Sequence, residues 1–169
     1  VGSFSDGIHA SVPAPGIGAV AAAQGGKASP MGRALKRLGL TADDIRVAYK
    51  HDTSTRANDP NENQLHQTIQ RALGRTPGAP LFVVSQKSIT GHSKGGAAAF
   101  QIGGAIAAMA TGSIAGNFNL ETVDPSATPH ADLVFTDRLT ELGPAPPVKA
   151  SPVTSRGFGP RGPPPLLPP

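Results

Sequence analysis

The distribution of proline limits most strongly which parts of this chain can join a sheet. Of the 18 prolines, 10 lie within the 26 residues from position 144 to position 169. Proline has no backbone N–H to donate to a neighbouring strand, so it is excluded from the interior of a sheet. The sequence therefore predicts a packed domain over residues 1–143 and an extended, polyproline-like or disordered tail over residues 144–169.

The segment before the tail alternates between helical and strand patterns. Helical patterns cover residues 31–39, 59–74 and 96–110, and short strand patterns cover residues 45–49, 81–84 and 133–135. This order predicts an α/β domain in which helices pack on a sheet. The helix at 96–110 is apolar on nearly every side, which predicts a buried helix that is too short to span a membrane.

The helix at 59–74 has the clearest boundaries. Asp59 is predicted to cap its N-terminus, Pro60 suits its first turn, and Glu62 stands three residues after the cap. Gly74 is predicted to end the helix. The apolar face that we expect to pack on the sheet consists of Leu65, Ile69 and Leu73.

The net charge of +4 is concentrated near the C-terminus. Three of the 15 lysines and arginines follow Glu141, whereas none of the 11 acidic residues does, so the rest of the chain is nearly neutral. The basic segment has neither a Lys/Arg cluster nor interleaved aromatic residues, which are typical of nucleic-acid-binding segments. The sequence therefore argues against nucleic acid as a partner.

The chain contains no cysteine, which excludes disulfides, thiolate–zinc sites and a cysteine nucleophile supplied by this chain. No charged-then-apolar signal segment opens it, so we expect a cytoplasmic protein without a membrane partner. The first residue is Val1 and not an initiator methionine, which suggests a chain cut from a longer one.

Two polar loops follow predicted strands, where α/β folds usually place their sites. The first covers residues 50–58 and the second residues 85–95. Residues 91–95 of the second loop match G-x-S-x-G, the nucleophile elbow of serine hydrolases, with Ser93 as the nucleophile. However, six mostly polar residues separate this motif from the strand, and the later His130 stands close to Asp124 for a triad. An α/β serine hydrolase stays as an alternative.

Two further interpretations are open. His51, Asp52, Asp59, His66 and His92 are of ligand type, but their spacing matches no metal motif, so we expect no metal site. Residues 163–168, Pro-Pro-Pro-Leu-Leu-Pro, could instead dock in an aromatic-lined groove, which would make the chain a noncatalytic binding module.

The two polar loops together resemble the two signatures of the β-ketoacyl synthase family. Residues 51–55, His-Asp-Thr-Ser-Thr, followed by Asn-Asp-Pro-Asn-Glu, resemble H-G-T-G-T followed by G-D-P-x-E. Residues 87–92, Lys-Ser-Ile-Thr-Gly-His, resemble K-S-N-I-G-H with its Ala/Gly-rich helix behind it, and Gly-Phe-Gly at 157–159 resembles the family's G-F-G-G turn. The run Lys-His-Asp-Thr-Ser-Thr at 50–55 is closer still to the ketosynthase domain of actinobacterial type I fatty acid synthases.

The resemblance implies the C-terminal half of a thiolase-like αβαβα layered sandwich. It implies part of a β-ketoacyl-[acyl carrier protein] synthase of fatty acid biosynthesis, an acyltransferase that decarboxylates a malonyl thioester and condenses it with an acyl chain. In such an enzyme His51 and His92 would donate hydrogen bonds to the enolate oxygen, and Lys87 would be a nearby orienting cation. Metal and resident cofactor would be absent.

The resemblance also implies partners and binding residues. Thr53 and Thr55 would hold the phosphopantetheine arm of the acyl carrier protein, and Phe158 would gate the passage between acyl and malonyl sites. The acyl chain would be held on a cysteine in an N-terminal half outside this chain, so this chain alone would be inactive. The parent assembly would be homo-oligomeric.

The chain departs from the family pattern at several positions. Asp52 and Ser54 replace the two glycines of the common first signature, and Pro152 is expected to break the strand before the Gly-Phe-Gly turn. Because the N-terminal half is absent, we also expect the helix at 96–110 to expose an apolar patch.

Overall fold

The computed structural model describes residues 26–55, 58–125, 131–143, 148–154 and 166–167. The α-helices are α1 (Pro30–Arg37), α2 (Asp59–Ala72), α3 (Gln86–Thr90) and α4 (Ala97–Thr111). Short 3-10 turns cover Gly26–Ala28, Ala42–Asp44 and Lys94–Gly96. The strands are β1 (Val47–Tyr49), β2 (Leu81–Val84), β3 (Ser113–Ile114), β4 (Leu133–Phe135), β5 (Thr140–Glu141), β6 (Ser151–Pro152) and β7 (Leu166–Leu167).

A parallel sheet with the order β1-β2-β4 forms the centre of the described fold. Val47 pairs with Phe82 in β2, and Phe82 pairs in turn with Val134 in β4. Because both faces of a parallel sheet are usually covered by helices, its strands are short apolar runs. The predicted α/β class is confirmed. The helix α3 was not expected, since the sequence predicts a continuous polar loop over residues 85–95.

Helices cover the two faces of this sheet. On one face, Leu35 of α1 and Leu65 and Ile69 of α2 pack against Ala48 of β1 and Val83 of β2. The residues that build the other face are Val47, Tyr49, Val84, Ala105, Ala108, Ile114, Leu142, Val148 and Val153. Successive side chains of β1 therefore point into different cores, as the two-residue period of a strand requires.

Residues 148–154 join this fold, which corrects the expectation that the segment from Pro144 onward stays outside the sheet. Bridges of parallel sense join Ala150 to Ile45 and Val153 to Tyr49 along β1. Pro152 has no N–H, and the neighbouring Ser151 hydroxyl donates to the Val47 carbonyl at 2.9 Å. β6 also pairs with β7 in antiparallel register. The rest of residues 144–169 lies outside the described residues.

The helix α4 is buried on one face only. Ala97, Gln101, Ala105 and Ala108 pack inward, whereas Phe100 and Ile106 are 48% and 57% exposed. We call its solvent-facing residues the α4 outer face: Ala99, Phe100, Gly103, Ile106, Ala107 and Ala110. The expected apolar patch is confirmed, and the prediction of a helix buried on every side is wrong within this chain. Among the described helices, none is long and apolar enough to cross a membrane.

Candidate active site

Both polar loops start at the carboxyl ends of adjacent parallel strands, so their side chains meet at one edge of the sheet. His51 follows β1, and Lys87 lies in α3 directly after β2. The Lys87 ammonium lies 3.3 Å from His51 Nδ1 and donates to the His51 carbonyl. His92 meets His51 edge-on, with ring centroids 5.6 Å apart. The structure therefore brings together the three residues proposed for catalysis.

The hydrogen bonds of the two imidazoles indicate where their protons lie. The backbone N–H of Lys94 donates to His92 Nδ1 at 3.0 Å, so the neutral ring carries its proton on Nε2. An ammonium group can only donate, so Lys87 makes His51 Nδ1 an acceptor and leaves that proton on Nε2 as well. Both rings are thus set as Nε2–H donors. Burial lowers the pKa of Lys87, and the charges of Glu62 and Asp52 oppose this shift.

A buried carboxylate, Glu62, holds the backbone that carries His51. Its two oxygens accept hydrogen bonds from the backbone N–H groups of His51 at 2.6 Å and Asp52 at 2.8 Å. The Asn58 amide and the Thr154 hydroxyl donate to the same carboxylate at 3.0 and 2.9 Å. This carboxylate therefore joins the first loop to Thr154 of the C-terminal segment.

The protonation state of Glu62 follows from these partners. Its burial raises the pKa, but the neighbouring His66, the Lys50 charge and the Asp52 N–H outweigh burial and hold the pKa well below its usual value. His66 is buried and lies 3.9 Å from Glu62 Oε1, so it supports Glu62 and is not a site residue. The site therefore contains a permanent negative charge behind the His51 backbone.

The structure revises the predicted cap of α2. Asn58 occupies the N-cap position without a side-chain capping hydrogen bond, and Asp59 is the first helical residue. With Asn58 as the N-cap, Glu62 stands four residues after the cap and not at the capping-box position, and its oxygens accept from His51 and Asp52. Glu62 therefore supports the site and does not cap the helix terminus.

The first loop keeps a left-handed backbone at the two positions where the common signature has glycine. Asp52 has φ of 41° and Ser54 has φ of 55°. Side chains with a Cβ adopt this region at a cost, and aspartate tolerates it better than most residues. The two departures from the signature therefore change the side chains and not the path of the loop.

A cleft of about 210 Å³ opens beside His92. Thr53 and Lys87 line it together with His92, and the Thr53 hydroxyl lies 3.3 Å from the exposed Thr55 hydroxyl. This arrangement places a hydroxyl, a lysine and an imidazole around one space that can accept a narrow polar chain.

The elements required for the alternative interpretations are not found in the described part of the chain. The helix α3 separates Ser93 from β2, so the strand does not run directly into a nucleophile elbow. No group of three His, Cys, Asp or Glu side chains within these residues could hold a metal ion. Phe158, His130 and residues 163–165 lie outside the described residues, so the gating position and the docking segment stay predictions.

Sequence reasoning missed four residues that support this site. Glu62 was assigned only to a helix cap, and Thr154 was assigned to the tail. Gln101 of α4 donates to the Lys50 and Thr154 carbonyls, and Lys50 is itself buried. The position of Glu62 within the D-P-x-E signature was a signal for its role, but neither Gln101 nor Thr154 carries such a signal.

Two Nε2–H donors beside a lysine, on an α/β fold, can stabilise an oxygen on which negative charge develops. Such an arrangement suits carbonyl chemistry in which negative charge develops on an oxygen. The family described as "Beta-ketoacyl synthase, C-terminal domain" matches residues 1–121, and the chain belongs to this family.

Curated relatives support the same family. The fatty acid synthase alpha subunit aflA of Aspergillus parasiticus is 45% identical over 134 residues, which are 79% of this chain and 8% of that subunit. The alpha subunit stcJ of Emericella nidulans is 43% identical over 160 residues, which are 94% of this chain and 10% of that subunit. This chain therefore spans about a tenth of the length of these relatives.

Solved ketosynthase structures share the fold. Ketosynthase twelve of the bacillaene polyketide synthase of Bacillus amyloliquefaciens matches with a TM-score of 0.67 and 15% identity, over 88% of this chain and 25% of that one. The ketosynthase from module 6 of the bacillaene synthase of Bacillus subtilis matches with a TM-score of 0.65 and 19% identity, over 83% and 25%. The expected ketosynthase-type, thiolase-like fold is therefore confirmed.

Proposed function

We propose that this chain is the malonyl-decarboxylating half of a ketosynthase in a type I fatty acid synthase, of the kind found in actinobacteria. The observation that carries this proposal is the pairing of His51 with His92, each with its proton on Nε2, beside Lys87. The run Lys-His-Asp-Thr-Ser-Thr at 50–55 supports the actinobacterial assignment.

In the proposed reaction a malonyl thioester enters the cleft. The bond between its carboxylate and its α-carbon breaks, carbon dioxide leaves, and the electron pair moves onto the thioester oxygen as an enolate. His51 and His92 donate hydrogen bonds to this oxygen, where charge develops only in the decarboxylation step. The α-carbon then attacks the acyl thioester, a carbon–carbon bond forms, and the cysteine thiolate leaves.

The remaining components come from outside this chain. An N-terminal half provides the nucleophilic cysteine, since this chain has none. The phosphopantetheine arm of an acyl carrier protein delivers the malonyl group along the cleft beside Thr53 and Thr55. The exception is Phe158 of this chain, which gates the acyl site. The parent assembly is homo-oligomeric and cytoplasmic. No resident cofactor takes part.

Substitution of each histidine tests this proposal in a ketosynthase completed with the Cys-bearing half. His51→Ala or His92→Ala should lower malonyl decarboxylation by about 10²–10³-fold, since one preorganised donor is lost at the enolate oxygen. Acyl loading on the cysteine should be retained, because it does not form this enolate. Decarboxylation at the unmodified rate in both variants would exclude the assigned role. Acyl transfer to any side chain of this chain alone would also contradict the proposal.

A further inference from the structure

A buried lysine stands directly before the catalytic histidine. Lys50 is only 2% exposed, although lysine is rarely buried without a partner. Its ammonium donates to Asn63 Oδ1 at 2.8 Å and lies 5.5 Å from the centre of the Phe135 ring. Neither of these groups carries a negative charge, so the buried ammonium requires a carboxylate.

Asp52, directly after His51, supplies that carboxylate. Its Oδ1 lies 3.4 Å from Lys50 Nζ, and the two groups form a salt bridge. Among the described residues this is the salt bridge that Lys50 makes. The two partners therefore flank His51 in the sequence, and their side chains meet behind it. A cavity of about 200 Å³ lies at this point, lined by Lys50, Asp52 and Asn63 among others.

The same aspartate determines the path of the loop. Asp52 adopts a left-handed φ of 41°, a conformation that a glycine would adopt with less strain. Its backbone N–H donates to Glu62, so both its main chain and its side chain are held. The ion pair thus secures a strained turn between His51 and Thr53.

We propose that Lys50 and Asp52 are coupled positioning residues, whose ion pair holds the His51–Thr53 turn in the geometry that aims the imidazole and the Thr53 hydroxyl at the substrate. This inference rests on the proposed function for the role of His51. It assigns Asp52 an active part where the common signature has glycine. Glycine at 52 is then unfavourable in this chain, because it removes the carboxylate in contact with the buried Lys50 ammonium and leaves only the more distant charges of Glu62 and Asp59.

A double-mutant cycle in the completed ketosynthase tests the pair. Asp52→Gly should lower malonyl decarboxylation about tenfold, although it removes backbone strain. Lys50→Met combined with Asp52→Gly should recover the rate to within about threefold of the unmodified enzyme, since neither charge is then left unpaired. Lys149→Met is the matched control. It breaks the 2.9 Å ion pair with Asp44 away from the site and should leave the rate unchanged.

Two further readouts separate positioning from simple loss of fold. Acyl loading on the cysteine should stay within about twofold in every variant, so the ratio of decarboxylation to loading should fall only in the single variants. Asp52→Asn, which retains the size and the tolerance for positive φ, should show the same fall in this ratio and serves if the glycine variant does not fold. The KM of the Asp52→Asn enzyme for the carrier-bound malonyl group should rise, because the Thr53 hydroxyl is displaced.

Three outcomes would overturn the inference. The first is an Asp52→Gly enzyme that decarboxylates as fast as the unmodified one, and the second is a double variant with the sum of both single losses. The third is an Asp52→Asn enzyme with an unchanged ratio. His51→Ala in parallel keeps the two proposals distinguishable. If that variant loses decarboxylation and the Asp52 variants do not, only the coupling is wrong, whereas full activity of His51→Ala rejects the proposed function.

Discussion

The two histidine loops are held very differently. His51 is buried, and its backbone is fixed by Glu62, by Thr154 and by the lysine of the second loop. His92 is exposed, and its described ring contacts are the Lys94 N–H of its own loop and the His51 ring. This chain therefore holds the His51 donor by several backbone contacts, whereas the His92 donor is exposed.

The open face continues along α4, directly after the His92 loop. The α4 outer face is apolar, whereas the opposite side of the sheet is closed by α1 and α2. In the proposed ketosynthase, the Cys-bearing half covers this side. The contacts that fix the His51 backbone therefore come from this chain, whereas His92 lies beside the face that the proposed Cys-bearing half would cover.

The largest expected effect on the free energy of unfolding comes from substitution of Glu62. Glu62→Ala removes a buried carboxylate, leaves the Asp52 N–H without its acceptor and leaves the His51 N–H with the Thr154 hydroxyl alone. The free energy of unfolding should therefore fall by about 3–5 kcal/mol. Denaturant unfolding of the chain paired with its N-terminal half measures this. Glu121→Ala, at an exposed glutamate, should change stability by less than about 0.5 kcal/mol. Equal stability of the two variants would mean that the loop does not depend on Glu62.

The α4 outer face should drive association of the chain on its own. Burial of a large apolar side chain contributes about 1.5–3 kcal/mol, so the isolated chain should self-associate and bind a hydrophobic dye. Phe100→Ser with Ile106→Ser should reduce both signals, as should co-expression with the Cys-bearing half. Leu139→Ser is the control, since Leu139 is 72% exposed and is not part of α4. A monomeric chain without dye binding would show that this face needs no cover.

Thr154 tests whether the rigid loop depends on the C-terminal segment. Thr154→Val keeps the shape but removes the hydroxyl that donates to Glu62 and accepts from the His51 N–H, which should cost about 1–3 kcal/mol. Differential scanning calorimetry of the paired chain should detect the lower melting temperature. Thr111→Val, at an exposed helical threonine, should have little effect. A neutral Thr154→Val would contradict the role assigned to this segment.

The smallest expected effect on the free energy of unfolding comes from removing the charge of Asp59. Burial and the nearby Asp52 carboxylate raise the pKa of Asp59 from 3.8 to about 6, although Lys50 opposes this. A raised carboxyl pKa favours the folded state fully below the unfolded value, and this contribution is lost as the pH rises through about 6. Asp59→Asn should therefore stabilise the fold by about 1 kcal/mol at pH 7 and by almost nothing near pH 4.

Denaturant unfolding at the two pH values measures this difference. Asp137→Asn is the matched control, because Asp137 lies on the surface and interacts with the neighbouring Arg138. A destabilising Asp59→Asn at pH 7 would mean that the charged carboxylate is used by the loop. It would then belong to the same network as Lys50 and Asp52.

Much of the fold could be predicted because the relevant signals are local. The strands at Leu81–Val84 and Leu133–Phe135 are short apolar runs bounded by polar residues, and the structure has them at these bounds. The helix α2 follows its apolar spacing and ends before Gly74, which has φ of 87°. The short helix α3 was missed because a polar sequence without periodicity is equally compatible with a loop.

The amino-acid sequence by itself determined the family, the order of helices and strands, and the residues that the two signatures carry, because each of these depends on residues close together in the chain. Only the tertiary structure decided that Glu62 anchors the His51 loop, that Lys50 and Asp52 pair behind the histidine, and that residues 148–154 lie along β1. The contacts of residues 148–154 with β1 join positions up to 105 residues apart, as between Thr154 and Tyr49. The proline content of this segment predicts that it stays outside a sheet, because proline has no backbone N–H. The Ser151 hydroxyl made the exception possible, since it supplies the hydrogen bond that proline cannot.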